Sequence, residues 1–276
     1  MWNLASGIPL LLSLAAAAGA AGRPTLPLDG PWQFRLDPAD AGEKEQWFDA
    51  KTAFDTTIQA PGAWDAQGFG TETPKLKHNF VGKGWYRRQV TLPAEWKGKR
   101  LFLTIGGVHR YAKVWVNGVA LGDEHVGYLS PFEREITQHV RLGEAATIAI
   151  CVDSKQRWDI DTLAGCFDII DEMFTAWGGI WGHVAIEARG DAWLEDLFVR
   201  PKLDPPSCLV SAKLNDKAEG AALKLEVLDA EGRVVAQATG LEVEIPGAKL
   251  WSPNHPDLYT ARLSLVRGEE VLDSVE

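Results

Sequence analysis

Residues 84–137 constrain the fold of this chain more than any other stretch. Three segments within it alternate apolar with polar side chains, and they cover residues 85–92, 101–106 and 111–116. Asn117-Gly118 follows the third segment and precedes the apolar residues 119–121. This pair is a strong hairpin signal, because a type I′ turn requires positive φ at both central residues. Since side chains on a strand alternate between two faces, each segment can bury one of them. The stretch therefore predicts an antiparallel, all-β domain with two layers.

The acidic composition narrows the class of partner. The 276 residues carry a net charge of −10, and the pI is near 5.2. Nucleic acids and anionic membranes bind basic surfaces, so neither is expected as a partner. The chain also has twelve tryptophans. Tryptophan is usually buried, but its flat apolar face also stacks on sugar rings. We expect most of the twelve in the core and a minority facing a sugar.

The three cysteines, Cys151, Cys166 and Cys208, show no metal-binding spacing. Their number is odd, so they do not form a complete disulfide framework. We expect buried free thiols, because an unpaired cysteine behaves as a small hydrophobic residue. A Cys151–Cys166 bridge stays open as an alternative in an oxidising compartment.

The N-terminal residues predict export. Residues 8–18 form an apolar run that is short for a bilayer span, and Ala18-Gly19-Ala20 fits an Ala-x-Ala cleavage site. Residues 1–20 are therefore predicted to be a signal peptide, and the protein to be secreted or periplasmic with no membrane attachment after cleavage. Residues 1–7 contain no Lys or Arg. An uncleaved anchor and a misassigned start codon stay open as alternatives.

The rest of the chain continues the β pattern. Residues 28–34 predict a turn followed by a first strand, residues 37–54 a loop with a short helix, and residues 146–152 a further strand. Near residue 190 the pattern restarts, and short strands separated by turn signals recur from 194 to 275. Such spacing favours a second β-sandwich, of immunoglobulin type.

The motifs of the central stretch resemble the N-terminal domain of family 2 glycoside hydrolases. They are, in order, Gly-Trp-Tyr-Arg-Arg, Gly-Gly-Val, Val-Trp-Val-Asn-Gly and Ser-Pro-Phe-Glu. Residues 177–184 resemble the family's Gly-Gly-Ile-aromatic motif, although many members have Arg-Asp where this chain has Gly182-His183. Residues 250–259 resemble the signature at the end of the family's second domain. The resemblance implies a jelly-roll domain over 21–190 and an immunoglobulin-like domain over 191–276, after the signal peptide over 1–20.

The family includes β-galactosidases, β-glucuronidases and β-mannosidases, and its activity resides in a (β/α)₈ barrel that follows these two domains. Retaining enzymes hold two carboxyl groups about 5–5.5 Å apart, one as nucleophile and one as acid/base. The family's acid/base lies in an Asn-Glu dipeptide. None of the five asparagines here precedes a glutamate, and no βα alternation predicts a barrel. We expect no catalytic residue: the chain is either a fragment missing its C-terminal catalytic barrel or a natural relative without one.

The resemblance implies sugar contacts from two loops of the first domain, which in family members reach the mouth of the barrel. From the first loop the candidates are Asn79 and its neighbour His78, since an amide both donates to and accepts from sugar hydroxyls. From the second loop they are Asp171 and Glu172, whose carboxylates can accept from hydroxyls. An ordinary turn asparagine and a solvated acidic loop are the alternatives.

Six acidic residues crowd the second loop: Asp153, Asp159, Asp161, Asp168, Asp171 and Glu172. Calcium takes six to eight oxygen ligands, which such a cluster could supply. The spacing is not that of an EF-hand loop. We expect a solvated or substrate-facing loop, with no metal and no cofactor.

Several single residues have structural interpretations. His109 and His125 lack a nucleophile nearby in the sequence and are expected in surface or loop positions. Arg87 and Arg88 should face opposite sides of one strand. Trp115 is expected in core or interface packing.

Three functions are compatible with these sequence features. The favoured one is the non-catalytic N-terminal portion of an exported retaining β-glycosidase. The full-length protein would hydrolyse O-glycosyl bonds, and this portion would support the barrel and lend loops to a β-glycoside. The second is a free-standing carbohydrate-binding module without hydrolase activity. The third is an adhesion or scaffold protein, against which an exposed apolar patch would count.

Overall fold

The computed structural model describes residues 23–72, 79–127, 129–155, 157 and 177–276. These residues form two compact units. The first contains residues 23–193 with 216–218, and the second contains residues 194–215 with 219–276. Helical structure in the described ranges is limited to short 3₁₀ segments, at Asp65–Gln67, Ala94–Trp96, Thr137–His139 and Asp216–Ala218. Within the same ranges, no helix is long and apolar enough to cross a membrane.

The first unit is built from fourteen strands in the described ranges. They are β1 (Thr25–Pro27), β2 (Gly30–Asp37), β3 (Thr56–Ala60), β4 (Gly62–Ala63), β5 (Lys83–Thr91), β6 (Arg100–Ile105), β7 (Val108–His109), β8 (Tyr111–Val116), β9 (Val119–Ala120), β10 (His125–Val126), β11 (Phe132–Glu135), β12 (Ala145–Asp153), β13 (Gly179–Ile180) and β14 (Val184–Arg189).

Two antiparallel sheets enclose the core of this unit. One has the order β1-β14-β6-β11, and the other has the order β10-β8-β12-β5-β2-β3 with β9 paired to β8. Alternate residues of both sheets point between them, among them Trp32, Tyr86, Leu103, Ile150 and Ile186, all at most 1% exposed. Because these large apolar side chains leave water together, they supply the main stabilisation of the sandwich. The predicted all-β, two-layer fold is confirmed.

The Asn-Gly turn has the geometry predicted from the sequence. Asn117 and Gly118 both have positive φ, 49° and 80°, and they join β8 to β9. The side-chain amide of Asn117 donates to the carbonyl of His139 and accepts from the N–H of Thr147, each at 2.8 Å. The turn is therefore fixed to two neighbouring segments as well as by its own backbone.

The outer face of the larger sheet is also covered. Trp85 and Trp115 stack there at 5.1 Å, and Phe48 stacks on Trp115 at 5.2 Å. Phe48 belongs to residues 38–55, which form turns with no helix, so the short helix expected in this segment is wrong. Trp115 packs in this buried layer, which confirms core packing, one of the two roles expected for it. The buried Arg87 donates to carbonyls of this segment, so the segment and the sheet form one structure.

The second unit contains seven strands. They are β15 (Leu194–Leu203), β16 (Pro206–Leu214), β17 (Ala222–Leu228), β18 (Val234–Thr239), β19 (Glu242–Glu244), β20 (Thr260–Arg267) and β21 (Glu270–Val275).

These strands form two antiparallel sheets with the orders β15-β16-β19 and β18-β17-β20-β21. The core between them contains Leu194, Val210, Leu225, Val227 and Leu263, each at most 2% exposed. A three-stranded sheet packed on a four-stranded one is the architecture of an immunoglobulin-like sandwich. The fold class predicted for this part of the chain is confirmed.

The thiols of Cys151 and Cys208 are predicted to resist alkylation in the folded protein. Both are buried and free, and burial raises the pKa of each thiol above its ordinary value. Cys166, the third cysteine, lies outside the described residues. Only the thiolate reacts readily, and the side chains of Cys151 and Cys208 lack both exposure and charge. Iodoacetamide at pH 8 should leave both peptides unmodified in native protein and alkylate them in urea, as read by peptide mass spectrometry. Native labelling of either peptide would contradict the burial.

Acid should weaken the first unit through an ion-pair cluster on Arg189. Its buried guanidinium donates to Glu133 at 2.9 and 2.5 Å and to Glu187 at 3.1 and 2.8 Å. The hydrogen bonds from Arg189 hold the pKa of Glu133 below its ordinary value of 4.5. A carboxyl group whose pKa is lower in the folded than in the unfolded state stabilises the fold at pH values above its unfolded-state pKa. That stabilisation is lost as the pH falls through the folded-state pKa.

The Glu133→Gln variant should therefore lose less stability than the wild type between pH 6 and pH 3, with the difference developing below about pH 4.5. Glu133 is half-exposed, so solvent screening should limit the difference to below about 1 kcal/mol. Urea midpoints across this range measure the difference, with Glu95→Gln, at an exposed position of a 3₁₀ segment, as control. Identical pH profiles for Glu133→Gln and wild type would remove the role given to the pair.

Candidate functional site

A small three-stranded sheet gathers distant loops at one edge of the first unit. Its order is β4-β13-β7, so Gly179 pairs with Ala63 on one side and with His109 on the other. The loops beside this sheet form what we call the loop edge, made of Trp64, residues 79–82, His109, Arg110, residues 153–155 and residues 177–181.

Trp64 connects two segments of the loop edge. Its backbone N–H donates to the carbonyl of Gly178 at 2.9 Å, and its indole N–H donates to the carbonyl of Phe80 at 3.2 Å. The ring of Phe80 meets the indole edge-on at 5.9 Å. A Cβ at Gly178 would lie 1.9 Å from the indole, so only glycine permits this approach. The fully buried Trp64 thus fixes both segments.

Asn79, a predicted sugar contact, lies on the loop edge. Its backbone exchanges two hydrogen bonds of 2.9 Å with Thr71, forming an isolated bridge. The residue is half-buried, and its side-chain amide makes no hydrogen bond to any residue that the structure describes. Asn79 therefore combines a fixed backbone with an amide that can serve a ligand.

The roots of the two predicted sugar-contacting loops lie together. Gly82 donates to the hydroxyl of Ser154 at 3.1 Å, and Ser154 donates its N–H to the carbonyl of Gly82 at 3.0 Å. These bonds join the Asn79 segment to the residues that begin the acidic loop, while Trp64 joins it to Gly178 beyond that loop. His78, Asp171 and Glu172, the other candidates, lie outside the described residues.

Asp153, the first member of the acidic cluster, has a structural role. It is buried and accepts a hydrogen bond of 2.6 Å from Arg157, which also pairs with Glu124. The Arg157 guanidinium lies 4.0 Å over the ring of Tyr111. The hydrogen bonds that Arg157 donates to Glu124 and to Asp153 raise the pKa of Arg157, although burial opposes this. No group of three metal-ligating side chains occurs in the part of the chain that the structure describes.

His109 is not the surface or loop residue expected from the sequence. It is 3% exposed in β7, and its ring stacks on Trp177 at 4.0 Å with an interplanar angle of 19°. One local feature is consistent with this burial, because Val108-His109 lies between two apolar strands in the sequence. The partners Gly179 and Trp177 are some seventy positions away, so the pairing could not be read from the local pattern.

Gly182-His183, where many family members have Arg-Asp, still contacts a carboxylate. The Nδ1 of His183 lies 2.5 Å from Asp29, and Asp29 also accepts from the N–H of Val184 at 2.9 Å. Burial opposes ionisation of Asp29, but these hydrogen bonds outweigh it and lower its pKa. Strand β14 begins directly after His183. Replacing the family's Arg-Asp by Gly182-His183 therefore changes the local side-chain contact and leaves the strand intact.

Comparison with known families identifies both units. The family described as "Glycosyl hydrolases family 2, sugar binding domain" matches residues 26–189, and "Glycosyl hydrolases family 2" matches residues 192–276. The chain belongs to glycoside hydrolase family 2. The resemblance stated from the central motifs is confirmed, and the loop edge lies within the family's sugar-binding domain.

The family 2 relatives of this chain include β-glucuronidases. Those of Chlorocebus aethiops and Homo sapiens are each 30% identical to it over 82% of this chain, which corresponds to 39% and 38% of their own lengths. A solved Ruminococcus gnavus β-glucuronidase, in complex with D-glucuronic acid, superposes with a TM-score of 0.75 at 21% identity, covering 92% of this chain and 45% of that one. The chain thus spans about two fifths of the length of the curated relatives it matches.

Proposed function

We propose that the two sandwiches are the non-catalytic part of an exported family 2 retaining β-glycosidase that acts on β-glucuronides. One observation carries the proposal. Two adjacent family 2 matches cover residues 26–189 and 192–276, and the relatives that share this region are named β-glucuronidases. In this proposal the sandwiches support a catalytic barrel and lend loops to its sugar.

In this proposal the catalytic carboxyl groups belong to the barrel and not to the two sandwiches. Retaining hydrolysis requires two carboxyl groups about 5–5.5 Å apart. The sequence contains no Asn-Glu dipeptide, and the strand pairs in the described ranges are antiparallel, whereas a (β/α)₈ barrel is built from parallel strands. Both catalytic glutamates are therefore assigned to the barrel, and none to this chain.

The loop edge is the part of this chain assigned to the sugar. Asn79 is fixed through its backbone and has a side-chain amide available to donate to one hydroxyl and accept from another. His78, Asp171 and Glu172 complete the proposed set of contacts. The hydrogen bonds of Trp64 and Ser154 hold the roots of both loops together, which favours contacts to a single ligand.

The purified 276-residue chain should not hydrolyse nitrophenyl β-glucuronide, β-galactoside or β-mannoside. Intact human β-glucuronidase, assayed in parallel, serves as the positive control. Turnover that stays with the chain through purification and is heat-labile would overturn the proposal, because it would require catalytic carboxyl groups within these residues.

Asn79 can be tested by fusing this chain to the portion of the human relative that lies outside the match. The fusion should hydrolyse the β-glucuronide, and Asn79→Ala should raise KM roughly tenfold with a smaller change in kcat, as expected for loss of one sugar contact. Gln237→Ala, which removes an amide at an exposed position of β18 in the second unit, is the matched control. Equal KM values for the two variants would exclude Asn79 as a sugar contact.

The alternative of a free-standing carbohydrate-binding module receives no support from the aromatic residues of the larger sheet. Such modules bind sugars with exposed aromatics on a sheet face. Here Trp85 and Trp115 are buried under residues 38–55, which contribute the buried Trp47 to the same cluster. Titration calorimetry of the chain with β-linked oligosaccharides tests the point, and a clear isotherm without a barrel would favour the module.

Export is proposed from residues 1–20 alone. The apolar run and the Ala18-Gly19-Ala20 site support cleavage after Ala20 and a secreted or periplasmic location. N-terminal sequencing of the protein recovered from its native host tests this. A mature protein that begins at Met1, or one retained in the cytoplasm, would contradict the proposal.

A further inference from the structure

An apolar groove opens on the second unit. Its volume is about 550 Å³, and its floor consists of core residues of the sandwich, Cys208, Val227 and Ile245. Trp251 and Leu258 form part of its rim and are 59% and 69% exposed. The groove therefore opens directly above the core of this sandwich, where Cys208 and Val227 stay buried, and large apolar side chains surround the opening.

The rim is an ordered structure. Ser252 and His255 exchange backbone hydrogen bonds of 2.9 and 3.0 Å, and the hydroxyl of Ser252 accepts a further bond from His255 at 3.1 Å. The hydroxyl of Tyr259 accepts from the N–H of Lys249 at 2.9 Å. These bonds hold Trp251 in an exposed position, although the apolar groove lies beside it. Such preorganisation lowers the entropic cost of binding.

The chemistry of the groove selects the class of partner. A sugar would need several converging hydrogen-bond groups, whereas Leu203, Leu250, Trp251 and Leu258 present hydrocarbon and an indole. Exposed contiguous apolar surface of this kind marks a protein–protein contact. The charged groups around the groove carry both signs, Lys202 and Lys249 with Asp257 and Glu276, as in the polar rim of a protein interface.

We infer that this groove docks the part of a family 2 β-glucuronidase polypeptide that lies outside the region matched here, with Trp251 and Leu258 as its anchors. The inference rests on the proposed function, because the occupant is the domain assigned to catalysis there. The relatives contain such a part, because the matched region is only 39% and 38% of the two mammalian chains. The occupant must present an apolar face, since it replaces water on the groove and on Trp251.

The first experiment uses the chain as it is. Anilinonaphthalene sulfonate should fluoresce with the wild type, and the double variant Trp251→Ser/Leu258→Ser should reduce the signal at least about threefold. The matched control Val234→Ser/Val235→Ser removes two exposed apolar side chains from β18, which do not line the groove, and should change the signal little. An equal loss in both double variants would show that the groove is not a distinct binding surface.

Sedimentation of the chain tests whether a second copy of the same chain occupies the groove. The chain should be a monomer at micromolar concentration with Trp251 open to hydroxyl-radical labelling. A dimer in which Trp251 is protected, and which dissociates in Trp251→Ser/Leu258→Ser, would assign the groove to a second copy and overturn the inference.

The decisive experiment is labelling of the fusion with the human portion. Labelling of Trp251 should fall at least about fivefold relative to the isolated chain, while Phe198, exposed but outside the groove, should be labelled equally in both. If the fusion fails to fold, labelling of the intact Ruminococcus gnavus enzyme at the positions superposed on Trp251 and Leu258 decides the question. Full labelling there, or in a folded fusion, would overturn the inference.

The two proposals fail separately. A fusion that hydrolyses β-glucuronide while Trp251 stays fully labelled rejects only the docking groove. A fusion that protects Trp251 but leaves β-glucuronide intact rejects the substrate class and leaves the docking surface standing.

Discussion

Replacing Trp64 by alanine should destabilise the first unit by roughly 3–5 kcal/mol, the range for large aromatic residues truncated in a core. The indole is fully buried and lies against Gly178, so alanine would leave a cavity that glycine cannot fill. The indole hydrogen bond to the carbonyl of Phe80 would be lost as well. The measurement is urea unfolding, followed by hydrogen exchange at amides of β5 and β12 so that the first unit is observed by itself.

Two variants separate packing from hydrogen bonding at this position. Trp64→Phe retains most of the buried apolar area but has no N–H, so it should lose about 1–2 kcal/mol. Trp181→Ala removes a partly exposed indole from the same unit and should lose less than half as much as Trp64→Ala. If Trp64→Ala and Trp181→Ala cost the same, Trp64 would not hold the loop edge together.

The long strands could be predicted because their signals are local. The strand predicted over 111–116 is β8 without change, and the strand predicted over 146–152 lies within β12, which covers Ala145–Asp153. Alternation of apolar residues and the Asn117-Gly118 turn suffice for such elements.

The small sheet could not be predicted, because its strands are two residues long and owe their existence to long-range pairing. Val108–His109 pairs with Gly179–Ile180, and that strand pairs with Gly62–Ala63. Each segment alone contains no periodicity. The sugar contact predicted for Asn79 came from the family resemblance and not from this sheet, and it stays a prediction.

The covering of the larger sheet by residues 38–55 was also beyond the sequence pattern. Three kinds of contact hold this segment on the sheet. They are aromatic stacking on Trp115, the cation–π contact of Arg35 with Trp47 at 3.9 Å, and hydrogen bonds from Arg87. None has a local spacing that marks it. The expectation that Arg87 and Arg88 face opposite sides holds, since Arg88 donates to the carbonyl of Leu28, far from the carbonyls that Arg87 binds.

The Arg87→Met variant should lose about 3 kcal/mol of unfolding free energy and release residues 38–55 from the sheet. The Arg87 guanidinium is buried, donates to the carbonyls of Trp47, Asp49 and Thr52, and lies 4.3 Å over the ring of Phe54. Hydrogen bonds to a charged group contribute about 1.5–3 kcal/mol each, but the freed carbonyls of a surface segment can bind water. The loss should therefore be smaller than three full bonds.

The matched control is Arg35→Met, which changes the same residue types at an exposed position over Trp47 and should cost less than about 1 kcal/mol. Arg87→Lys should fall between them, because an ammonium on a single point cannot span three carbonyls as a planar guanidinium does. Urea unfolding gives the energies, and limited proteolysis within residues 38–55 reports release of the segment. If Arg87→Met and Arg35→Met were equally stable and equally resistant, the aromatic stacking alone would hold this segment on the sheet.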